Sequence, residues 1–164
     1  MKTFFRILSA FLLVVSLATA AQAQADYTTG IGLRGGAASG LTIKHFIKSD
    51  AAIEGIISSS FRYRGTMITL LYEKHAQAFN TRGLLWYYGL GGHVGFYDGY
   101  YYYRNRGSRR DDGNVFGVGV DGIIGLEYYL RDIPFTIGAD LKPYVNLPRG
   151  GGFWDAALNV RYVF

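Results

Sequence analysis

The chain has 164 residues and a formal charge of +5, with 23 Gly, 14 Tyr and 11 Phe against three Pro and no Cys. Without cysteine there is no disulfide framework and no lipoprotein-type leader, and the mild basicity says little about partners and gives no ground for a nucleic-acid one. Abundant Gly and aromatics leave two classes, a secreted β-sandwich and a transmembrane β-barrel, because only the N-terminal apolar run approaches the length of a membrane helix.

The first element is a leader. Lys2 and Arg6 precede an apolar run from Ile7 to about Ala20, and small residues follow. Ala21-Gln22-Ala23 and Ala23-Gln24-Ala25 both satisfy the A-x-A rule, so residues 1–23 read as a secretory signal peptide cut after Ala23 or Ala25. The run is roughly 14 residues, short of the ~20 of a membrane span. Removing Lys2 and Arg6 lowers the formal charge from +5 to +3. Residues 24–164 then form one domain of about 140 residues.

Eight segments with strand character follow: Tyr27 to Gly36, Leu41 to Lys48, Ala52 to Phe61, Thr66 to Ala76, Leu84 to Tyr97, Val115 to Leu130, Phe135 to Leu147 and Phe153 to Phe164. Most alternate with period two, and none has a helical period. The connections "KSD", "QAFNTRG" and "RDI" are compact, whereas "RYRG", "YYYRNRGSRRDDG" and "PRGGG" fall on the other side, with "GAAS" short for that side. Turns on one side and loops on the other predict an eight-stranded antiparallel up-and-down barrel in an outer membrane, with both termini periplasmic.

In the last segment Trp154, Ala156, Leu158, Val160, Tyr162 and Phe164 share one face, and Asp155, Ala157, Asn159, Arg161 and Val163 share the other. The sixth and seventh segments likewise set Phe116, Val118, Ile124 and Leu126 against Asp121 and Glu127, and Ile137 and Leu141 against Asp140 and Lys142. Alternation alone does not say which face is inside. The leader, the strand lengths and the aromatics near both strand ends favour apolar-out. Trp154, Phe116 and Phe96 then mark the outer interface, and Trp86, Tyr128, Tyr162 and Phe164 the inner one.

The terminal strand, with Val160, Tyr162 and Phe164, resembles the C-terminal strand of outer-membrane barrels that the barrel-assembly machinery reads. The chain as a whole resembles small eight-stranded outer-membrane proteins of the OmpA/OmpX/OmpW kind. The stretches "GIIGLEYYL", "LLYEKHAQAFN" and "WYYGLGGHVGFYD" are similar to a bacterial family described only as outer-membrane β-barrel domain proteins. The resemblance implies outer-membrane lipid, the assembly machinery and periplasmic chaperones as partners. It supplies no catalytic residues and no cofactor.

Eight strands enclose a lumen that side chains can fill, so inward charges must pair. Register counting across the turns places Lys44 opposite Glu54, Asp121 opposite Lys142, and Asp140 opposite or near Arg161. Glu73 falls near Glu54 and calls for a further cation, Arg34 or a histidine. Inward glycines at 89, 91, 95, 117, 119 and 125 would leave room for a narrow pore unless Tyr87, Tyr97 or Tyr129 fills it.

His75 and His93 face inward on adjacent strands. Pairing His75 with Leu85 and His93 with Met67 separates them by roughly 26 Å, too far to share a metal. His45 points outward, with Ser58 to Ser60 on the next strand and no evident acid for a lipid-modifying triad. "GLGGHVG" opens no helix and is not a nucleotide loop.

The longest loop carries Tyr101, Tyr102 and Tyr103, then Arg104, Arg106, Arg109 and Arg110. Arginine forks suit phosphate and tyrosines supply contact area, so this loop is the candidate surface for lipopolysaccharide or another surface ligand. The leading expectation is a non-enzymatic barrel with a structural or surface-interaction role. A narrow pore is the alternative and a lipid-modifying enzyme the third.

Overall fold

The computed structural model describes residues 26–60, 65–79, 81–98, 114–147 and 152–164. The leader and the Tyr101 to Arg110 loop candidates lie outside these residues. Eight strands follow in order: β1 (Thr29–Gly36), β2 (Ala38–Lys48), β3 (Ala51–Ser60), β4 (Gly65–Gln77), β5 (Leu84–Asp98), β6 (Asn114–Leu130), β7 (Phe135–Leu147) and β8 (Gly152–Val163). Each pairs with its sequence neighbour. The sheet closes where β1 meets β8 antiparallel, from Gly30↔Val163 to Gly36↔Ala157. Closure removes both sheet edges and leaves every strand with two paired neighbours.

β2 begins at Ala38, earlier than its apolar pattern at Leu41 suggests, so "GAAS" is largely strand. The reason lies inside the barrel. Arg34 Nη1 donates to the Ala38 carbonyl at 3.3 Å, and the Ala38 N–H donates to Asp155 Oδ1 at 3.2 Å. Buried polar groups thus hold the hairpin tip in the sheet.

The two faces separate cleanly. Outward residues are apolar and open, with Leu33 66%, Leu90 71% and Leu158 69% exposed. Inward residues are polar and buried, among them Arg34, Lys44, Glu54, Glu73, Asp121, Glu127, Lys142 and Arg161. A water-soluble protein would invert this arrangement, because an apolar surface of this extent in water is unstable. With hydrocarbon outside, the arrangement is the stable one. Aromatics flank the apolar belt: Phe96 meets Phe116 at 5.4 Å, Trp86 meets Tyr88 at 5.3 Å and Tyr162 meets Phe135 at 5.5 Å.

The inward glycines do not open a channel around Tyr87 and His93. Gly125 lies opposite Tyr87, and a Cβ there would sit 2.5 Å from the ring Cζ and 2.7 Å from the Ala139 carbonyl. Gly119 lies opposite His93, and a Cβ there would sit 2.3 Å from the imidazole Cε1. In both pairs the missing side chain is the space that an aromatic ring from the next strand occupies.

Candidate functional site

The lumen is the site the fold builds. At the end near the tight turns, Arg161 is the centre. Its Nη2 donates to Glu54 Oε1 at 2.5 Å, and its Nη1 donates to Glu127 Oε2 at 2.6 Å and to Asn159 Oδ1 at 2.7 Å. Lys44 lies 3.4 Å from Glu54, 2.9 Å from Glu73 and 3.6 Å from Glu127. The Thr42 hydroxyl also donates to Glu54. Two cations are therefore shared among three carboxylates, all fully buried. Such groups tolerate burial because each has several charged or hydrogen-bonding partners.

Aromatic rings cap this cluster. Tyr27, just before β1, donates its hydroxyl to Glu127 Oε1 at 2.6 Å. Its ring meets Phe46 edge-on at 5.1 Å and stacks on Tyr129 at 6.5 Å. Phe46 contacts His75, His75 stacks on Tyr87, and Lys44 Nζ lies 3.9 Å from the Tyr87 centroid. The segment carrying Tyr27 is fastened to the end of β8, since the N–H groups of Thr28 and Thr29 both donate to the Phe164 carbonyl. This segment, the charges and the rings thus form one packed cluster.

Toward the loop end two further clusters follow. Arg34 bridges Asp140 at 2.5 Å and Asp155 at 2.6 Å. Asp121 accepts from Lys142 at 3.0 Å and contacts His93 Nδ1 at 2.6 Å, while His93 Nε2 lies 2.7 Å from Asn146 Oδ1. In the β2–β3 turn, Asp50 lies 2.7 Å from the ammonium of Lys74 on β4, whose hydrogen bond holds that carboxyl below its usual range.

Several sequence expectations change in place. Lys44 faces Glu54 directly. Asp121 faces Tyr144 and not Lys142, a slip of two, and the pair forms because the long lysine reaches diagonally. The expected Asp140–Arg161 pair is wrong. Asp140 faces Ala157 and pairs with Arg34 across β8, while Arg161 faces Thr136, four positions lower on β7, and meets Glu54 and Glu127. The cation beside Glu73 is Lys44, with His75 at 3.6 Å. Arg34 belongs to another cluster.

The histidines also shift register. His75 faces Tyr87 and His93 faces Thr69, because the β4–β5 turn closes from Ala78 N–H to Leu84 C=O with Phe79 and Gly83 at positive φ. His93 and His75 are then six positions apart along β4, about 20 Å at strand rise. Among the described residues no cluster could hold a metal ion. His45 faces outward and touches Thr29 Oγ1 at 2.9 Å. Ser58 faces inward opposite Gly40, roughly 17 Å along the strand from His45, so the two form no dyad. Val160, Tyr162 and Phe164 all point outward, with the last two rings 6.1 Å apart.

No family model matches the sequence, and no curated protein matches it. Among solved structures, the N-terminal β-barrel domain of Pseudomonas aeruginosa OprF is similar, with a TM-score of 0.63 at 21% identity over 83% of this chain and 95% of that one. The fold is therefore that of an eight-stranded, outer-membrane-type β-barrel, and the apolar exterior makes this chain a membrane barrel protein.

Proposed function

We propose that the chain is an outer-membrane protein with both termini in the periplasm, and that it is a closed, non-enzymatic barrel that works as a structural element and through its surface loops. The observation that carries this reading is the sealed lumen. Two buried cations hold three carboxylates, and Tyr27, Phe46 and Tyr87 pack around them. A permanent aqueous path needs charges that water can reach, and these are fully enclosed. The test is conductance of the refolded protein in a planar bilayer, with folding checked beforehand by a heat-modifiable gel shift. The expected result is a folded, silent protein, and reproducible single-channel steps would overturn the reading. The pore alternative draws support from the buried hydroxyls of Ser58, Thr69 and Tyr87, which have no hydrogen-bond partner among the described residues and could bind water.

The partner assignments belong to the same proposal. The outward apolar triplet Val160, Tyr162 and Phe164 suits reading by the barrel-assembly machinery, with periplasmic chaperones acting before insertion. Arg104, Arg106, Arg109 and Arg110 provide the phosphate-binding chemistry for lipopolysaccharide, and Tyr101, Tyr102 and Tyr103 the contact area. Replacing all four arginines by serine should weaken binding to lipopolysaccharide micelles by about tenfold or more, as expected for several lost charge-assisted hydrogen bonds. Unchanged binding would remove the loop from the proposal.

A further inference from the structure

The luminal network at the turn end does not balance as a set of ions. Its cations are Lys44 on β2 and Arg161 on β8. Its carboxyl groups are Glu54 on β3, Glu73 on β4 and Glu127 on β6. All five residues are 0–1% exposed. Two positive charges against three negative ones leave one charge uncompensated in an enclosed space, which is costly. The network therefore needs a third cation. Arg34 and Lys142 do not supply it, because they are engaged with Asp140, Asp155 and Asp121.

His75 does not supply it either. Its Nε2 lies 3.4 Å from Lys44 Nζ, so that nitrogen faces an ammonium and acts as an acceptor. Its Nδ1 has no hydrogen-bond partner among the described residues. An imidazolium here would aim one N–H at a cation and leave the other unused. Tyr27 and Tyr87, the titratable rings in contact with the network, carry no positive charge in any state.

The carboxyl groups identify the missing cation. Glu127 accepts from Arg161 and Tyr27, and Glu54 accepts from Arg161 and Thr42. Glu73 touches one cation, Lys44 at 2.9 Å. Neither oxygen of Glu73 accepts a hydrogen bond from an N–H or hydroxyl among the described residues, and nor does Glu54 Oε2. The two glutamates stand on adjacent strands, Glu54 opposite Leu71 and Glu73 opposite Ala52, with their side chains in hydrogen-bonding reach of one another. Two carboxylates have no proton with which to form that bond, whereas a carboxylic acid and a carboxylate do.

We propose that the lumen is a binding site for one proton, carried by Glu73 and donated in a hydrogen bond to Glu54. The proton comes from solvent as the barrel closes and adds to a carboxylate oxygen, so no other bond changes. Two cations, two carboxylates and one carboxylic acid then sum to zero. The inference rests on the sealed-lumen reading, since water reaching the pair would let both glutamates ionise.

The test is infrared spectroscopy of the refolded mature protein at neutral pH in a maltoside detergent, which has no carbonyl group. Exposed carboxyl groups are ionised at this pH, so a carboxylic-acid C=O band reports a buried proton. Wild type should show the band, and Glu73→Gln should lose all of it. Glu73→Gln should also unfold at a urea concentration no lower than wild type, because its amide is neutral like the acid and donates to Glu54. Asp121→Asn is the contrast and should unfold at a lower one, because it leaves Lys142 without its carboxylate.

A wild type without the band overturns the proposal, as does a Glu73→Gln protein that keeps the band, unfolds earlier or fails to refold. A small metal cation in the proton's place would show as a missing band and a midpoint that falls when tetramethylammonium replaces sodium and potassium. A barrel silent in the bilayer and lacking the band would reject the proton and keep the seal. Channel steps from a barrel that shows the band would reject the seal alone.

Discussion

Arg161→Met should destabilise the barrel by about 3–5 kcal/mol, the range for removing one partner from a buried ion pair. The guanidinium reaches Glu54 and Glu127 within 2.6 Å and also donates to Asn159. Without it Lys44 alone faces three carboxylates, and its contacts to Glu54 and Glu127 are already long at 3.4 and 3.6 Å. Urea unfolding from lipid vesicles measures the effect. Adding Glu127→Gln should return about 1–2 kcal/mol, because one uncompensated charge is removed while the Tyr27 hydroxyl keeps an acceptor. Lys74→Ala is the contrast. That lysine is 2.7 Å from Asp50, within 0.2 Å of the Arg161 ion-pair distances, but the pair is more than a third exposed and water screens it. Its loss should be within the scatter of the measurement. Equal effects from Arg161→Met and Lys74→Ala would mean that the interior network does not hold the barrel together.

Gly125→Ala is expected to destabilise by about 2–3 kcal/mol despite adding one methyl group, the cost of overpacking a filled interior. The new carbon would meet Tyr87 Cζ at 2.5 Å and the Ala139 carbonyl at 2.7 Å. Neither yields easily, since the Tyr87 ring is fixed between His75 and Lys44 and the carbonyl belongs to the barrel wall. Tyr87→Leu alone should also destabilise, by about 2–4 kcal/mol, from lost ring packing. The double variant should be less damaged than the sum of the two by about 1 kcal/mol or more, because the leucine vacates the space that the methyl enters. The carbonyl contact remains, so rescue is partial. Strict additivity would show that the tyrosine ring does not occupy the glycine's space.

The strand set was legible because period-two alternation is a local property. All eight strands fall where the apolar residues recur, and their ends differ by only a few residues. Much of the interior was legible too, since parity put Lys44, Glu54, Asp121, Asp140, Lys142 and Arg161 on the polar face, and the leader, the strand lengths and the aromatics made that face the inner one, where these residues are buried. Partner choice was not. Register across a turn depends on the turn's backbone, and a slip of two keeps every side chain on its face while moving it about 7 Å along its neighbour. A slip of two separates the expected His75 and Lys142 pairings from the observed ones, and one of four separates the Arg161 pairing. Arg34 with Asp140 and Asp155, and Arg161 with Glu54, also join residues from strands distant in sequence. No hairpin count can reach such pairs. The sequence reading starts the first strand at Tyr27, whereas β1 begins at Thr29, and the Tyr27 ring joins the luminal cluster although strand parity with Ile31 and Leu33 would turn it outward.

The sequence by itself determined the eight strands, their antiparallel order and the division of side chains into two faces, because each follows from local alternation and from the pattern of tight turns on one side and loops on the other. The tertiary structure gives the physical reason why the polar face is the inner one. Closing β1 on β8 puts the charged face in a lumen where every ion finds a partner and leaves the apolar face for hydrocarbon. It also decided which charges meet and that Tyr87 and His93 fill the spaces left by Gly125 and Gly119. Those outcomes depend on the curvature and stagger of a closed sheet, which bring together residues more than a hundred positions apart.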